Sequence, residues 1–294
     1  MKERIPKYGC VEAGGTKIVL GVASGPDAIE ETLRIDTTTP EETLSQTIDW
    51  LTRRGPFTAI GIASFGPAEL DRASPAWGYI TQTTKPGWSN TDFAARVGRE
   101  CEAPVGFDTD VNGAALAEAR WGASQGQRIS VYITVGTGIG GGAIVNGKPL
   151  HGLSHPEMGH IRPQRHPEDR DFPGICPFHG DCLEGLASGP AIKARWGYSL
   201  SELPREHQAH SIIAWYIAQC AVTLQSIMEP GRIVLGGGVM QTDGLLNRVR
   251  AQATELGASY FRGKADEIIV APGLGDRAGL LGALALAQDV AASA

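Results

Sequence analysis

Residues 8–23 read YGCVEAGGTKIVLGVA, two short apolar runs on either side of the glycine turn at 13–16. Such a pair predicts a β-hairpin. The pattern returns at 131–145, VYITVGTGIGGGAIV, and a third glycine run at 236–238 follows the apolar stretch 232–235. Apolar runs that alternate with helical patterns predict an α/β architecture with a mixed sheet. The helical patterns lie at 43–51, 112–121, 211–228 and 280–290.

The composition is that of a globular protein, with 42% hydrophobic and 20% charged residues in a chain of 294. This length predicts about two domains. The net charge is -6, so the chain lacks the excess of basic residues that is typical of nucleic-acid-binding proteins. The stretch 278–287 is too short to span a bilayer, and MKERIPKYGC has no apolar core of an export signal. We therefore expect a cytoplasmic protein that binds neither nucleic acid nor membrane.

The chain has five cysteines, an odd number, which suits a compartment where thiols stay reduced. Cys10, Cys101 and Cys220 lie in apolar or helical contexts and are expected to be inert core residues.

The three glycine turns suit phosphate binding, because glycine lets backbone N–H groups converge on an anion. Hydroxyls and a lysine add donors in the turns at 12–17 and 134–142, whereas the third turn covers 235–240. No Walker A pattern is present in the sequence. Gly136-x-Gly138 follows a strand but precedes another strand, which disfavours a dinucleotide fingerprint. Plain hairpins remain the alternative interpretation of each turn.

These turns resemble the phosphate-1, phosphate-2 and adenosine segments of the sugar kinase, hsp70 and actin superfamily. From Tyr8 to the terminal helix, the chain resembles the ROK family and, within it, the bacterial fructokinases. The resemblance implies an actin-like ATPase (ribonuclease H-like) fold, in which ATP and sugar meet in a cleft between two α/β domains. The implied domains are residues 1–115, closed by helix 279–292, and residues 116–278.

The same resemblance implies ATP with Mg²⁺ as cosubstrate, a hexose as acceptor, and a homodimer. Ser188-Gly189-Pro190 resembles the family's helix entry near the nucleotide, although proline at a helix start also has a structural reason. The implied ATP-binding residues are Gly14, Gly15, Thr16, Lys17, Thr137, Gly138, Pro190, Gly236, Gly237, Gly238, Val239 and Met240.

Residues 107–115, FDTDVNGAA, lie where a predicted strand passes into a predicted helix. The segment resembles the family's N-D-x-N-A-A motif, which implies that Asp110 is the general base of phosphoryl transfer. Asp110 or Asp108 could instead cap the helix, and the two roles can coexist. Thr109 replaces the asparagine of glucokinase-like relatives, which favours fructose as the substrate.

A cluster of histidines and cysteines marks the long irregular loop 151–184. Cys176-x2-His179-x2-Cys182 suits a tetrahedral Zn²⁺ held by thiolates and imidazole. The family's Gly-His pair implies His160 as the fourth ligand, with His166 as the rival. Such a site would be structural and would pin the loop. His151 and His155 are expected to make loop hydrogen bonds.

The resemblance also places sugar-binding glutamates at Glu157 and Glu184. His160, Thr109 and Asp110 complete the implied sugar site. The charge run 168–171 is expected to be solvated. Trp88 could either line the sugar site or act as a packing anchor.

The sequence therefore predicts an ATP- and Mg²⁺-dependent kinase that converts D-fructose to fructose 6-phosphate. Glucose, mannose or N-acetylmannosamine kinases are the alternatives among enzymes. A non-catalytic sugar sensor or repressor is disfavoured, because the first hairpin begins at Tyr8 without a preceding helix-turn-helix and because Asp110 is present.

Overall fold

The computed structural model describes residues 5–293. Twelve strands and nine α-helices lie within that range. The strands are β1 Tyr8–Ala13, β2 Lys17–Gly25, β3 Ala28–Asp36, β4 Ala59–Ser64, β5 Tyr79–Ile80, β6 Thr91–Asp92, β7 Val105–Thr109, β8 Ile129–Val135, β9 Ile139–Val145, β10 Lys148–Pro149, β11 Arg232–Gly236 and β12 Ile269–Val270. The helices are α1 Pro40–Thr52, α2 Ala94–Glu100, α3 Asp110–Trp121, α4 Leu183–Ala187, α5 Gly189–Trp196, α6 Ala209–Met228, α7 Leu245–Gly257, α8 Ala265–Ile268 and α9 Ala278–Ser293.

The chain divides into two compact units. The first takes in the described residues up to Ala117, the segment Leu150–His155 and the chain from Asp276 onward. The second consists of Glu118–Pro149 and Pro156–Gly275. The sequence-based division placed the whole loop 151–184 in the second domain, whereas the structure groups its first residues with the first unit. Residues 1–4 of the predicted first domain lie outside the described range.

The first unit is built on a five-stranded sheet in the order β3-β2-β1-β4-β7. The predicted hairpin is confirmed, because β1 pairs antiparallel with β2, whereas β4 and β7 extend the sheet in parallel. Helix α9 packs on β1 and β4 so closely that a Cβ on Gly61 would overlap the backbone of Ala283. Glycine at this position therefore allows the terminal helix to cover the sheet.

The second unit repeats this arrangement with a five-stranded sheet in the order β10-β9-β8-β11-β12. Again an antiparallel hairpin, β8–β9, is extended by parallel strands. Helix α6 packs against α7, and an 18-residue stretch of its 20 residues has a mean hydropathy of 1.4, long and apolar enough to cross a membrane. Half of that stretch is buried inside the structure, so we interpret α6 as a core helix.

Several elements escaped the sequence-based prediction, among them strand β3 and helix α7. Strand β3 is mostly exposed and charge-rich, AIEETLRID, so it lacks the apolar alternation of a half-buried strand. Helix α7 buries a narrow stripe of residues spaced four apart, Leu245, Val249 and Ala253. The predicted α/β class is confirmed in both units.

Candidate active site and metal centre

Strand β7 passes directly into helix α3 at the Thr109–Asp110 peptide. The buried Thr109 hydroxyl accepts a hydrogen bond from the Asn112 amide at 3.2 Å and thereby caps the helix. Asp110 is half-buried, and its Oδ1 accepts from the Val111 amide at 2.9 Å. The capping role that the sequence left open between Asp108 and Asp110 thus belongs to Thr109.

Asp108, the residue before Thr109, stabilises this junction from the protein interior, with only 2% of its surface exposed. Its Oδ1 accepts from the Thr109 amide at 2.8 Å and from the Asn112 side-chain amide at 2.7 Å. Its Oδ2 lies 2.8 Å from Nε2 of His151. The hydrogen bond to Asp108 raises the pKa of His151 above its ordinary value, although partial burial opposes the shift.

The first glycine turn connects β1 to β2 and is held by its own backbone. The Gly14 amide donates to the Lys17 carbonyl at 2.9 Å, and the Thr37 hydroxyl donates to the Gly14 carbonyl at 2.8 Å. Gly15 and Thr16 are exposed. Among the described residues other than Gly15 and its two neighbours, none has a heavy atom within 4 Å of the position of a Cβ on Gly15. The turn therefore leaves an open edge of the kind a phosphate cradle needs.

Glu12 is the last residue but one of β1, just before this turn, and was not selected from the sequence. Burial raises the pKa of its carboxyl group, the nearby Lys17 ammonium lowers it, and Asp276 raises it. A half-buried carboxylate beside a phosphate-type turn is a candidate to face a cation. Its only sequence signal is a carboxylate that Ala13 alone separates from the glycine run at 14–15.

The second unit brings together its two glycine turns and the start of α5. The Gly189 amide donates to the Gly136 carbonyl at 2.8 Å. Gly237 has φ +91°, and a Cβ there would lie 2.5 Å from the carbonyl oxygen of Val135. The predicted nucleotide-binding residues of this unit thus lie in three adjacent segments. Thr137, Pro190 and Gly238 are exposed. The remaining predicted residues, which are buried or half-buried, are Gly138, Gly236, Gly237, Val239 and Met240.

Glu184 lies in α4, directly against the second glycine turn. Its Oε2 accepts from the Ile139 amide at 2.9 Å, and a Cβ on Gly138 would lie 2.7 Å from the same oxygen. The structure therefore places this predicted sugar ligand in contact with a predicted ATP turn.

The four predicted zinc ligands come together in the second unit. The ligand atoms of His160, Cys176, His179 and Cys182 all lie within 4.8 Å of one another. The two Nδ1 atoms are 3.3 Å apart, and His160 Nδ1 lies 3.5 Å from Cys182 Sγ and 3.8 Å from Cys176 Sγ. His179 Nδ1 lies 3.7 Å from Cys176 Sγ.

These separations fit one tetrahedral ion. Zn–N bonds of about 2.05 Å and Zn–S bonds of about 2.3 Å require N–N edges of about 3.3 Å and N–S edges of about 3.6 Å. Burial raises the pKa of the Cys182 thiol to about 11, so a thiolate there needs a cation beside it. The donor chemistry and spacing both fit Zn²⁺.

His160 links this cluster to a predicted sugar ligand. Its Nδ1 faces the cluster, whereas its Nε2 lies 3.9 Å from Oε2 of Glu157, which is exposed. The rival ligand His166 lies elsewhere: its Nδ1 accepts from the Glu168 amide at 3.2 Å and its ring packs edge-on against Trp215. The structure thus assembles the cluster with His160.

A family model described as the ROK family matches residues 8–290. The chain belongs to the ROK family. The fructokinase of Zymomonas mobilis is 55% identical over 295 residues, covering 98% of each chain. The fructokinase of Streptococcus mutans is 40% identical over 290 residues, covering 97% of this chain and 98% of its own.

The ROK hexokinase of Thermus thermophilus has a similar structure, with a TM-score of 0.80 and 26% sequence identity. The match covers 98% of this chain and 100% of that one. The predicted actin-like ATPase fold of the ROK kinases is therefore confirmed, in agreement with the sheet order that the two units share.

One group of residues in this ROK protein corrects the sequence analysis. Asp169, predicted to be a solvated loop charge, is only 5% exposed. Its Oδ2 accepts from the Tyr216 hydroxyl at 2.6 Å and lies 3.0 Å from Nη1 of Arg195. Its partners lie far along the chain, so local composition gave no sign of burial.

The open alternative for Trp88 is also decided by its surroundings. The residue is fully buried, its Nε1 donates to the Thr38 carbonyl at 2.9 Å, and its ring packs against Phe65. Trp88 is thus a packing anchor. Burial raises the pKa of Cys10 and Cys220 to about 12, which agrees with the inert thiols predicted there.

Proposed function

We propose that this ROK protein is a fructokinase that transfers the γ-phosphoryl group of ATP to fructose and forms fructose 6-phosphate. The observation that carries the proposal is identity over nearly the whole chain to relatives named fructokinase. The β7–α3 junction and the open glycine turns supply matching chemistry, namely a carboxylate at a strand end and anion-binding backbone.

In the proposed reaction, Asp110 accepts the proton of the sugar hydroxyl. The oxygen of that hydroxyl attacks the γ-phosphorus of ATP, and ADP leaves. In a loose transition state the proton leaves late, when the attacking oxygen has become acidic, so an ordinary carboxylate suffices. Thr109 fixes the helix start that carries Asp110. A fixed base keeps the sugar hydroxyl aligned with the γ-phosphorus, and such positioning is a major part of how proteins catalyse phosphoryl transfer.

The turn residues Gly14–Lys17, Thr137–Gly138 and Gly236–Met240 are proposed to bind ATP, with Pro190 at the start of α5. Mg²⁺ bound with ATP would neutralise phosphate charge, and Glu12 is the carboxylate proposed to face it. Support for Glu12 comes from its half-buried position beside the first turn.

The zinc ion is proposed to be structural, held by His160, Cys176, His179 and Cys182. Glu157 would accept a hydrogen bond from Nε2 of His160, as carboxylates commonly do beside metal-bound histidines. The ion would thereby position His160 and Glu157 for the sugar. Glu184 is proposed as the second sugar-binding glutamate, held by Ile139.

The test is an assay of ADP release by the purified protein on a panel of hexoses and N-acetylmannosamine. We expect the highest kcat/KM with fructose. Asp110→Asn should lose about 10²- to 10⁴-fold in kcat, the range of general-base loss, with ATP affinity kept. Asp27→Asn, which removes an exposed carboxylate of the same unit, is the control. Preference for another sugar would refute the fructose assignment, and full activity of Asp110→Asn would refute the base.

A homodimer and a cytoplasmic location also belong to this proposal. The free state of all five cysteines supports a reducing compartment. Light scattering at micromolar concentration would measure the mass, and 31.0 kDa per chain makes a dimer of twice that mass easy to separate from a monomer.

A further inference from the structure

The segment Leu150–His155 belongs to the first unit, although the residues on both sides of it belong to the second. Two histidines make the hydrogen bonds that attach it there. The sequence predicted hydrogen bonds for both histidines but placed the segment in the second domain. His151 Nε2 lies 2.8 Å from Asp108, and His155 Nε2 accepts from the Ala68 amide at 3.2 Å. His155 accepts from a loop amide, whereas His151 contacts the carboxylate of Asp108, two residues before the proposed base.

Asp108 is a buried carboxylate, and a buried carboxylate is costly unless donors surround it. One oxygen is held by Thr109 and Asn112. The other oxygen has His151 at hydrogen-bond distance, in an ion pair when the imidazole is protonated. Removal of His151 would leave this oxygen without the donor, and the carboxylate could then turn toward water.

A turned Asp108 would loosen the junction. The amide of Thr109 and the side chain of Asn112 both donate to Asp108, and the Asn112 amide in turn donates to the Thr109 hydroxyl. Asp110 is the next residue, so its position depends on this hydrogen-bonded ring. We propose that His151 is a positioning residue for Asp110 that acts through the carboxylate of Asp108.

Resting on the proposed kinase activity, the inference is tested on whichever hexose wild type phosphorylates best. His151→Ala should lower kcat about tenfold with the KM for ATP unchanged within about twofold, because small misplacements of a base cost rate more than binding. His151→Gln, whose amide can reach Asp108, should restore kcat to within about threefold of wild type.

His155→Ala is the matched control, because it frees the same segment from the first unit without touching Asp108. Its kcat should stay within about twofold of wild type. In an Asp108→Asn background, His151→Ala should change kcat by less than about twofold, because the contact between the His151 imidazole and the Asp108 carboxylate is already lost. Equal losses from both histidine variants, or an undiminished loss in the Asp108→Asn background, would overturn the proposal.

Two measurements keep the idea testable if His151→Ala does not fold. His151→Asn carries the same amide as His151→Gln on a shorter chain, so it should lose activity where His151→Gln keeps it. NMR titration without substrate should show that His151 deprotonates at higher pH in wild type than in Asp108→Asn. Identical titrations would refute the contact itself, whether or not the protein is a fructokinase.

Discussion

Replacement of Asp169 by asparagine removes a charge from the interior of the second unit. Asp169 accepts from the Tyr216 hydroxyl and faces the guanidinium of Arg195, whose side chain is only 8% exposed. That guanidinium lies over the rings of Phe172 and Trp196, at 4.0 and 4.5 Å from their centroids. After the substitution, Arg195 would keep its charge with little access to water.

The magnitude follows from this burial. Removing one partner of a buried ion pair costs about 3–5 kcal/mol, because the other charge is left uncompensated. Burial already lowers the pKa of Arg195, and the Asp169 carboxylate is the largest influence that opposes this shift. Asparagine still offers an oxygen to Tyr216, so that bond can survive. We therefore expect a loss near the lower end, about 3 kcal/mol.

Hydrogen exchange of the α6 amides measures this loss directly, and it avoids the assumption that a chain of two units unfolds in one step. Asp171→Asn is the matched control, since Asp171 lies two residues away and is exposed. It should change the opening free energy by less than about 0.5 kcal/mol. A loss of opening free energy below about 1 kcal/mol in Asp169→Asn would refute the reasoning, because removing one partner of a buried ion pair costs more than that.

Three other predictions test the proposed site. Wild type should hold about one zinc ion per chain, which Cys176→Ser should lose and His166→Ala should keep. Elemental analysis measures the zinc content of all three proteins, and active wild type without zinc would refute the proposed zinc site. Thr109→Asn should shift the fructose to glucose ratio of kcat/KM toward glucose by about 1–3 kcal/mol with the helix cap kept, and an unchanged ratio would make Thr109 purely structural. Gly237→Ala should weaken ATP binding by calorimetry at least tenfold, about 1.4 kcal/mol, because its Cβ would meet the Val135 carbonyl; unchanged affinity would separate this turn from the nucleotide.

The parts of the site that the sequence predicted are those that local chemistry encodes. A glycine run between apolar runs specifies a turn within a few residues, and the hairpin at 8–23 has the predicted form. The Cys176-x2-His179-x2-Cys182 spacing likewise brings three ligands together within one loop. The fourth ligand was open between His160 and His166, because spacing alone does not determine how a loop returns to the cluster.

Buried carboxylates are where the sequence analysis was weakest, and the reason is distance along the chain. Asp108 is paired with a histidine 43 residues away, and Asp169 with a tyrosine 47 residues away. Glu118, which is fully buried, accepts from the amides of Gly273 and Leu274, 155 and 156 residues away.

In each case the neighbouring sequence gives no sign that the carboxylate is buried, so an exposed charge is the natural interpretation. The cost of burial is met by donors that only the folded chain supplies, and two of the three carboxylates hold segments that carry proposed functional residues. Asp108 lies beneath the proposed base, and Asp169 lies in the loop between two proposed zinc ligands, His160 and Cys176. Charged residues of such a fold are therefore candidates for structural roles even where the sequence around them suggests an exposed charge.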